Sequence, residues 1–133
     1  MTTVFADTFY FIALLNPHDK DHQCCLAFTQ AFIGRIMTTA WVLTEVADGL
    51  CRPPIRAQAG LFIERLRQRP EVRIFPAEEG LFDAGFRLYR QRSDKEWSLT
   101  DCISFAVMQR EGITEALTGD HHFEQAGFVA LLK

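Results

Sequence analysis

Four acidic residues stand where chemistry could be done: Asp7, Glu45, Asp101 and Asp120. Asp7 ends the β-prone run T-T-V-F-A, and Asp120 leaves the run T-E-A-L through T-G-D. Asp101 heads the almost wholly apolar stretch C-I-S-F-A-V-M, and Glu45 lies inside W-V-L-T-E-V-A-D-G-L. Carboxylates gathered in one crevice repel and raise one another's pKa, a cost that a bound cation removes. An all-oxygen donor set selects a hard ion, so the expected metal is magnesium, with manganese as a substitute, and not zinc. Such a centre suits phosphoryl chemistry, because the ion polarises the phosphorus–oxygen bond and lowers the pKa of water.

Each acid also has a plain structural reading. Ser98 to Asp101 fits S-x-x-D, a capping box in which the serine and the acid serve each other's backbone. Asp7 fits the N-cap of a helix starting at Thr8. Glu45 has Val42, Val46 and Ala47 beside it but also Asp48 and Gly49, so it reads equally as a solvent-face or a cleft residue. His18 and His22 are four apart, but the interior D-K-D and the lack of a third spaced ligand make surface histidines the better reading than zinc. Arg87, Arg90, Arg92 and Lys95 form a basic cluster just ahead of Ser98 and Asp101. They read as a solvated helix end or as a hold on a phosphodiester near that acid.

The elements that would position these residues follow from periodicity. Strands are expected at Thr2–Ala6, Arg35–Ala40, Val72–Phe75, Thr114–Leu117 and Phe128–Leu132. Helices are expected at Thr8–Leu15, from about Asp19 to Phe32, at Trp41–Leu50, Ile55–Arg69 and Glu78–Arg92, and through the Trp97–Ile113 stretch. His121–Glu124 reads as a single helical turn. Strands separated by helices of this length imply parallel βαβ units in an α/β sandwich with right-handed crossovers. In such sheets ligands bind beyond the carboxyl ends of the strands, where the strand order reverses. All four acids fall toward that edge.

Bulk properties set the frame. A chain of 133 residues suits one domain, here residues 1–133, with a substantial core. The longest apolar run, Phe9 to Leu15, is too short to cross a bilayer and lacks a basic flank, which predicts neither a membrane span nor a secretion signal. Four cysteines without a C-x-x-C pair fit a reducing, cytoplasmic setting. A net charge of -3 argues against nucleic-acid binding by bulk positive field but leaves room for local basic patches.

The motifs V-F-A-D-T at Asp7, T-T-x-x-V-L-T-E-V at Glu45, W-S-L-T-D-C-I-S-F-A-V-M at Asp101 and L-T-G-D-H-H-F-E-Q-A-G-F at Asp120, in that order along the whole chain, resemble the PIN-domain proteins, in particular the VapC-like toxins. Asn16 to His22 is similar to that family's first loop. The resemblance implies a three-layer α/β sandwich with a central, mainly parallel sheet and helices on both faces. It further implies a Mg²⁺-dependent endoribonuclease, the toxin of a toxin–antitoxin pair, with RNA as substrate, an antitoxin protein as partner and a homodimer as assembly. Asp7, Asp101 and Asp120 would hold the metal. Glu45 would complete the catalytic set by sharing a second ion or orienting the attacking water, and Thr118 and Ser98 match supporting polar positions. Rival readings are a housekeeping RNA-processing nuclease, a non-catalytic PIN-like module that binds RNA or protein, and a phospho-receiver. The last is disfavoured because no lysine occurs between Lys95 and Lys133.

Overall fold

A computed structural model describes all 133 residues. Five short strands, β1 (Thr3–Ala6), β2 (Arg35–Thr39), β3 (Val72–Phe75), β4 (Glu115–Leu117) and β5 (Val129–Ala130), form one sheet in the order β3-β2-β1-β4-β5. Every neighbouring pair is parallel, with Phe5 opposite Met37 on one side and Ala116 on the other. β1 is central, and its residues Val4, Phe5 and Ala6 are buried on both faces, as expected of a strand covered on each side by helices.

The chain runs outward from β1 through β2 to β3 and then returns to place β4 on the other side of β1. With right-handed crossovers, this change of direction puts the connecting helices on opposite faces. The first set is α1 (Thr8–Leu15), α2 (His22–Ala31), α3 (Ala40–Gly49) and α4 (Ile55–Leu66). The second is α5 (Glu79–Gln91), α6 (Leu99–Glu111) and α7 (His121–Gln125). Within the first set α1 packs on α2 and α3, and within the second α6 packs on α5 and α7. The expected α/β sandwich is therefore present, with a wholly parallel sheet.

Boundaries differ from the sequence reading where polar turns compete with helix. The second helix starts at His22 and not near Asp19, because Asp19 accepts from the backbone of Asp21 at 2.9 Å and holds the preceding residues in a turn. The last strand shrinks from Phe128–Leu132 to Val129–Ala130. α6 is the most buried helix: Cys102, Ile103, Ser104, Phe105, Val107 and Met108 are all inside. Gly112, at φ 70, ends it in the left-handed conformation that glycine adopts without strain.

α5 and α6 approach closely because Gly85 has no side chain. A Cβ at Gly85 would lie 2.8 Å from both Cα and N of Ile103, and backbone cannot yield as a flexible side chain can. Gly85→Ala is therefore expected to lower stability by about 1–3 kcal/mol. Gly60, inside α4 with open space around it, should gain about 0.4–1 kcal/mol when replaced by alanine. Denaturant melts of the two variants beside the parent chain check both signs.

Candidate metal centre

The switch point lies between β1 and β4, and the acids meet at its carboxyl edge. Asp7 follows β1 directly and is only 5% exposed. It stands at the N-cap of α1, but its side chain makes no capping hydrogen bond. Instead its Oδ2 accepts from the Thr118 hydroxyl at 2.9 Å. Thr118 leaves β4 fully buried, and its Oγ1 in turn accepts from the backbone N–H of Asp120 at 3.0 Å. One hydroxyl thus fixes the ends of two adjacent strands and two of the acids. Between Thr118 and Asp120, a Cβ at Gly119 would come within 2.6 Å of the tip of the Phe9 ring, which would have to shift.

Asp101 is the third residue of the site, in the first turn of α6. The capping box foreseen at Ser98 is present: Asp101 N–H donates to Ser98 Oγ at 3.0 Å, and Ser98 N–H donates to Asp101 Oδ2 at 3.2 Å. The cap does not displace the site reading. Asp101 remains within electrostatic range of both Asp7 and Asp120. Asp120 caps α7, with Oδ1 accepting from His122 N–H at 2.9 Å. The His122 ring turns back so that Nδ1 lies 3.2 Å from Asp101 Oδ2 and 3.5 Å from Asp120 Oδ1.

Glu45 resolves toward the cleft. It is half-buried on α3, and its Oε1 accepts from the Thr8 hydroxyl at 2.6 Å. Thr8 is the residue after Asp7, so the hydrogen bond ties Glu45 to the start of α1. The sequence alone singles out neither Thr8 nor His122. Their signals are faint: a hydroxyl directly after the first acid, and a histidine two residues past the last one.

The packing that aims α6 and α7 at each other is aromatic. Phe105 of α6 meets Phe123 of α7 edge-on at 4.9 Å and Trp97 at 5.1 Å. Trp97 Nε1 donates to Gln125 Oε1 at 3.0 Å, which ties the chain ahead of α6 to α7. Other sequence candidates stay apart from this centre. His22 Nδ1 lies 2.8 Å from the Ala13 carbonyl oxygen, and His18 is exposed. Arg92 makes two 3.0 Å bonds to Asp94 at the surface.

The electrostatics favour a cation. None of Asp7, Glu45, Asp101 or Asp120 is paired with lysine or arginine; His121 and His122 are the only basic neighbours within ion-pair range of Asp101 and Asp120. Burial above all, then the charge of Asp101, pushes the Asp7 carboxyl up to about 7, with Thr118 acting in the other direction. Burial also raises Asp101, opposed by its Ser98 hydrogen bond and reinforced by Asp120. Buried carboxylates without a compensating charge form the kind of oxygen-donor set that a divalent ion fits.

The raised Asp7 value has a stability consequence. Its folded pKa exceeds the ordinary 3.8, so the native state holds the proton more tightly than the unfolded chain does. The resulting advantage is full below about pH 3.8 and is lost as pH rises through about 7. In metal-free buffer Asp7→Asn is expected to stabilise the protein at about pH 8, by roughly 4 kcal/mol at most, and to do little near pH 4. Thermal melts of both chains across that range would show it; a variant less stable than the parent at both ends would refute the assignment of Asp7 as an uncompensated acid.

Comparison with known proteins agrees with this architecture. The PIN domain family model matches residues 4–129. The chain is 29% identical over 126 residues to the 23S rRNA-specific endonuclease VapC20 of Mycobacterium tuberculosis, covering 95% of each. The crystal structure of that protein, described as a sarcin–ricin loop cleaving toxin, superposes with a TM-score of 0.87 at 28% identity, over 96% of this chain and 98% of the other. FitAcB from Neisseria gonorrhoeae shares the fold at a TM-score of 0.66 and 22% identity, over 96% and 94% of the two chains. With nearly its whole length matched and its acids at the sheet's switch point, the chain belongs to the PIN-domain family.

Proposed function

We propose that this protein is a metal-dependent endoribonuclease acting as the toxin of a toxin–antitoxin pair, with Mg²⁺ as its ion and Mn²⁺ as a substitute. The observation that carries the reading is that the charges of Asp7, Asp101 and Asp120 act on one another, without lysine or arginine partners, in a PIN fold. All 133 residues are read as one PIN unit, since a single core cluster spans the chain from Val4 to Phe123. Its setting is the cytoplasm, where its four free cysteines stay reduced and RNA is at hand.

Asp7, Asp101 and Asp120 would hold the ion. When bound, it supplies Lewis-acid polarisation of the scissile phosphate and makes water a competent nucleophile near neutral pH. Glu45, held by Thr8, would orient the attacking water or share a second ion, and attack by water in place of the ribose 2′-hydroxyl would leave a 3′-hydroxyl and a 5′-phosphate. Thr118 fixes the spacing of Asp7 and Asp120, and Ser98 fixes the entry of Asp101. The partners are RNA, an antitoxin protein and a second copy of the chain.

The sarcin–ricin loop, the target named for the Mycobacterium tuberculosis relative, is the first RNA to assay. Cutting should require Mg²⁺ or Mn²⁺ and cease in EDTA. Asp7→Asn and Asp101→Asn should each lower the rate at least about a hundredfold while the chain stays folded. Cleavage that persists in EDTA would refute the metal mechanism, and a chain that binds RNA in Mg²⁺ without cutting it would return the protein to a binding module. For the toxin role, expression of the chain alone should arrest growth, and co-expression of a short protein encoded beside it should restore growth.

A further inference from the structure

Two histidines beside the acids supply donors that an all-oxygen centre does not need. His121 and His122 follow Asp120 directly at the start of α7. Consecutive residues on a helix do not face each other, yet both rings turn the same nitrogen to the same oxygen. Nδ1 lies 3.6 Å from Asp120 Oδ1 for His121 and 3.5 Å for His122, and the two ring centroids are 4.5 Å apart. From a different helix, α6, Asp101 brings Oδ2 to 3.2 Å from His122 Nδ1. One donor atom each of Asp120, His121 and His122 lies within 4.8 Å of the other two.

Hydrogen bonding does not account for the group. Asp120 Oδ1 already accepts from the His122 backbone N–H at 2.9 Å, and the ring nitrogens at 3.5 and 3.6 Å are beyond the range of a good N–H···O bond. The same distances match ligands around one ion. Bonds of about 2.0–2.1 Å to nitrogen and oxygen, arranged as a tetrahedron, set neighbouring donors roughly 3.4 Å apart. Asp101 Oδ2 and Asp120 Oδ1 each accept a backbone N–H, and a carboxylate oxygen has a second lone pair for a cation. We propose that Asp101, Asp120, His121 and His122 form a four-ligand site for a borderline divalent ion, Zn²⁺ first among them.

The donor set selects the ion. Mg²⁺ prefers oxygen ligands in a near-ideal octahedron, whereas imidazole suits zinc and its neighbours in the transition series. No lysine or arginine is paired with either acid, so no fixed cation takes the ion's place. Asp101 and His122 are mostly covered while His121 is exposed, which leaves the ion an open approach on the side of His121. With Asp101 ionised, the 3.2 Å contact is held in the metal-free chain by a proton on His122 Nδ1. A bound ion takes the place of that proton, which leaves to solvent. The site borrows Asp101 and Asp120 from the centre proposed for Mg²⁺, but its existence does not rest on nuclease activity.

The test titrates Co²⁺ into the full chain and then displaces it with Zn²⁺. Four-coordinate Co²⁺ absorbs visible light far more strongly than the six-coordinate aqueous ion, so the spectrum reports the geometry as well as the affinity. The strong band should appear and be removed by Zn²⁺. His121→Gln and His122→Gln should each raise the Zn²⁺ Kd at least about tenfold. A control chain carrying Cys24→Ser, Cys51→Ser and His18→Gln, which lacks the exposed thiols and the other exposed imidazole, should bind as the parent does. Because His121 is exposed, its variant keeps the fold, and melting temperatures of the same samples check that of His122. Absence of the strong band, or an unchanged Kd in His121→Gln, would overturn the site. So would a loss confined to the control chain, which would assign the zinc to surface thiols as an adventitious ion. A His122→Gln chain that melts lower yet binds Zn²⁺ as the parent does would also overturn it, and would leave that ring a structural contact. If Zn²⁺ binds through both histidines but no RNA is cut in Mg²⁺, the site stands and the nuclease reading falls; RNA cutting by a chain without affinity for Zn²⁺ does the reverse.

Discussion

The Thr118 hydroxyl is the interaction on which the candidate metal centre depends. It donates to Asp7 and accepts from the backbone of Asp120, and so uses both of its hydrogen-bonding capacities on two chain segments that arrive from opposite ends of the sequence. Without it, Asp7 would be a buried carboxylate with no side-chain donor, and the exit of β4 would lose the bond that sets where Asp120 begins α7. A threonine suits this role because a hydroxyl can donate and accept at once. Its methyl group also remains compatible with the wholly buried position it occupies.

Around that bond the fold is arranged to tolerate crowding of like charge. β1 and β4 must be adjacent for Asp7 and Asp120 to meet, which requires the chain to reverse its direction across the sheet after β3. α6 must then arrive with its first turn, and not its middle, over the same edge. The Phe105 contacts to Trp97 and Phe123, together with the short approach permitted by Gly85, settle that placement through apolar packing. Repulsion among the acids is thereby opposed by core contacts that lie mostly below them.

Much of this is legible in the residues. Alternating strands and helices imply the parallel α/β class, and the position of Asp7 and Asp120 after strands places them at one edge. The S-x-x-D pattern announces the Asp101 cap. What stays hidden depends on side-chain direction. Glu45 has equal claims to solvent and cleft because α3 has polar residues on both flanks, and only the hydroxyl of Thr8, distant in sequence, decides between them. His122 is hidden for a similar reason: its ring meets Asp101, distant in sequence, which no local pattern announces. The turn at Asp19 escapes a sequence reading because an aspartate that bonds its own neighbourhood looks, in sequence, like one that starts a helix.

The opposition between helix cap and metal ligand at Asp101 dissolves at the level of single oxygens. Oδ2 takes the Ser98 N–H and lies nearest His122, so both structural partners share one oxygen and the other accepts no hydrogen bond. Asp120 divides its work in the same way, giving Oδ1 to the backbone of His122. Each of these carboxylates has its rotamer fixed by the fold before any ligand arrives, while one oxygen remains available to a cation. Pre-orientation of this kind removes part of the ordering cost of binding. A capping motif and a proposed metal-binding motif can therefore occupy the same four residues: the cap supplies the orientation that a ligand would need, and the two roles would not compete for the same atom.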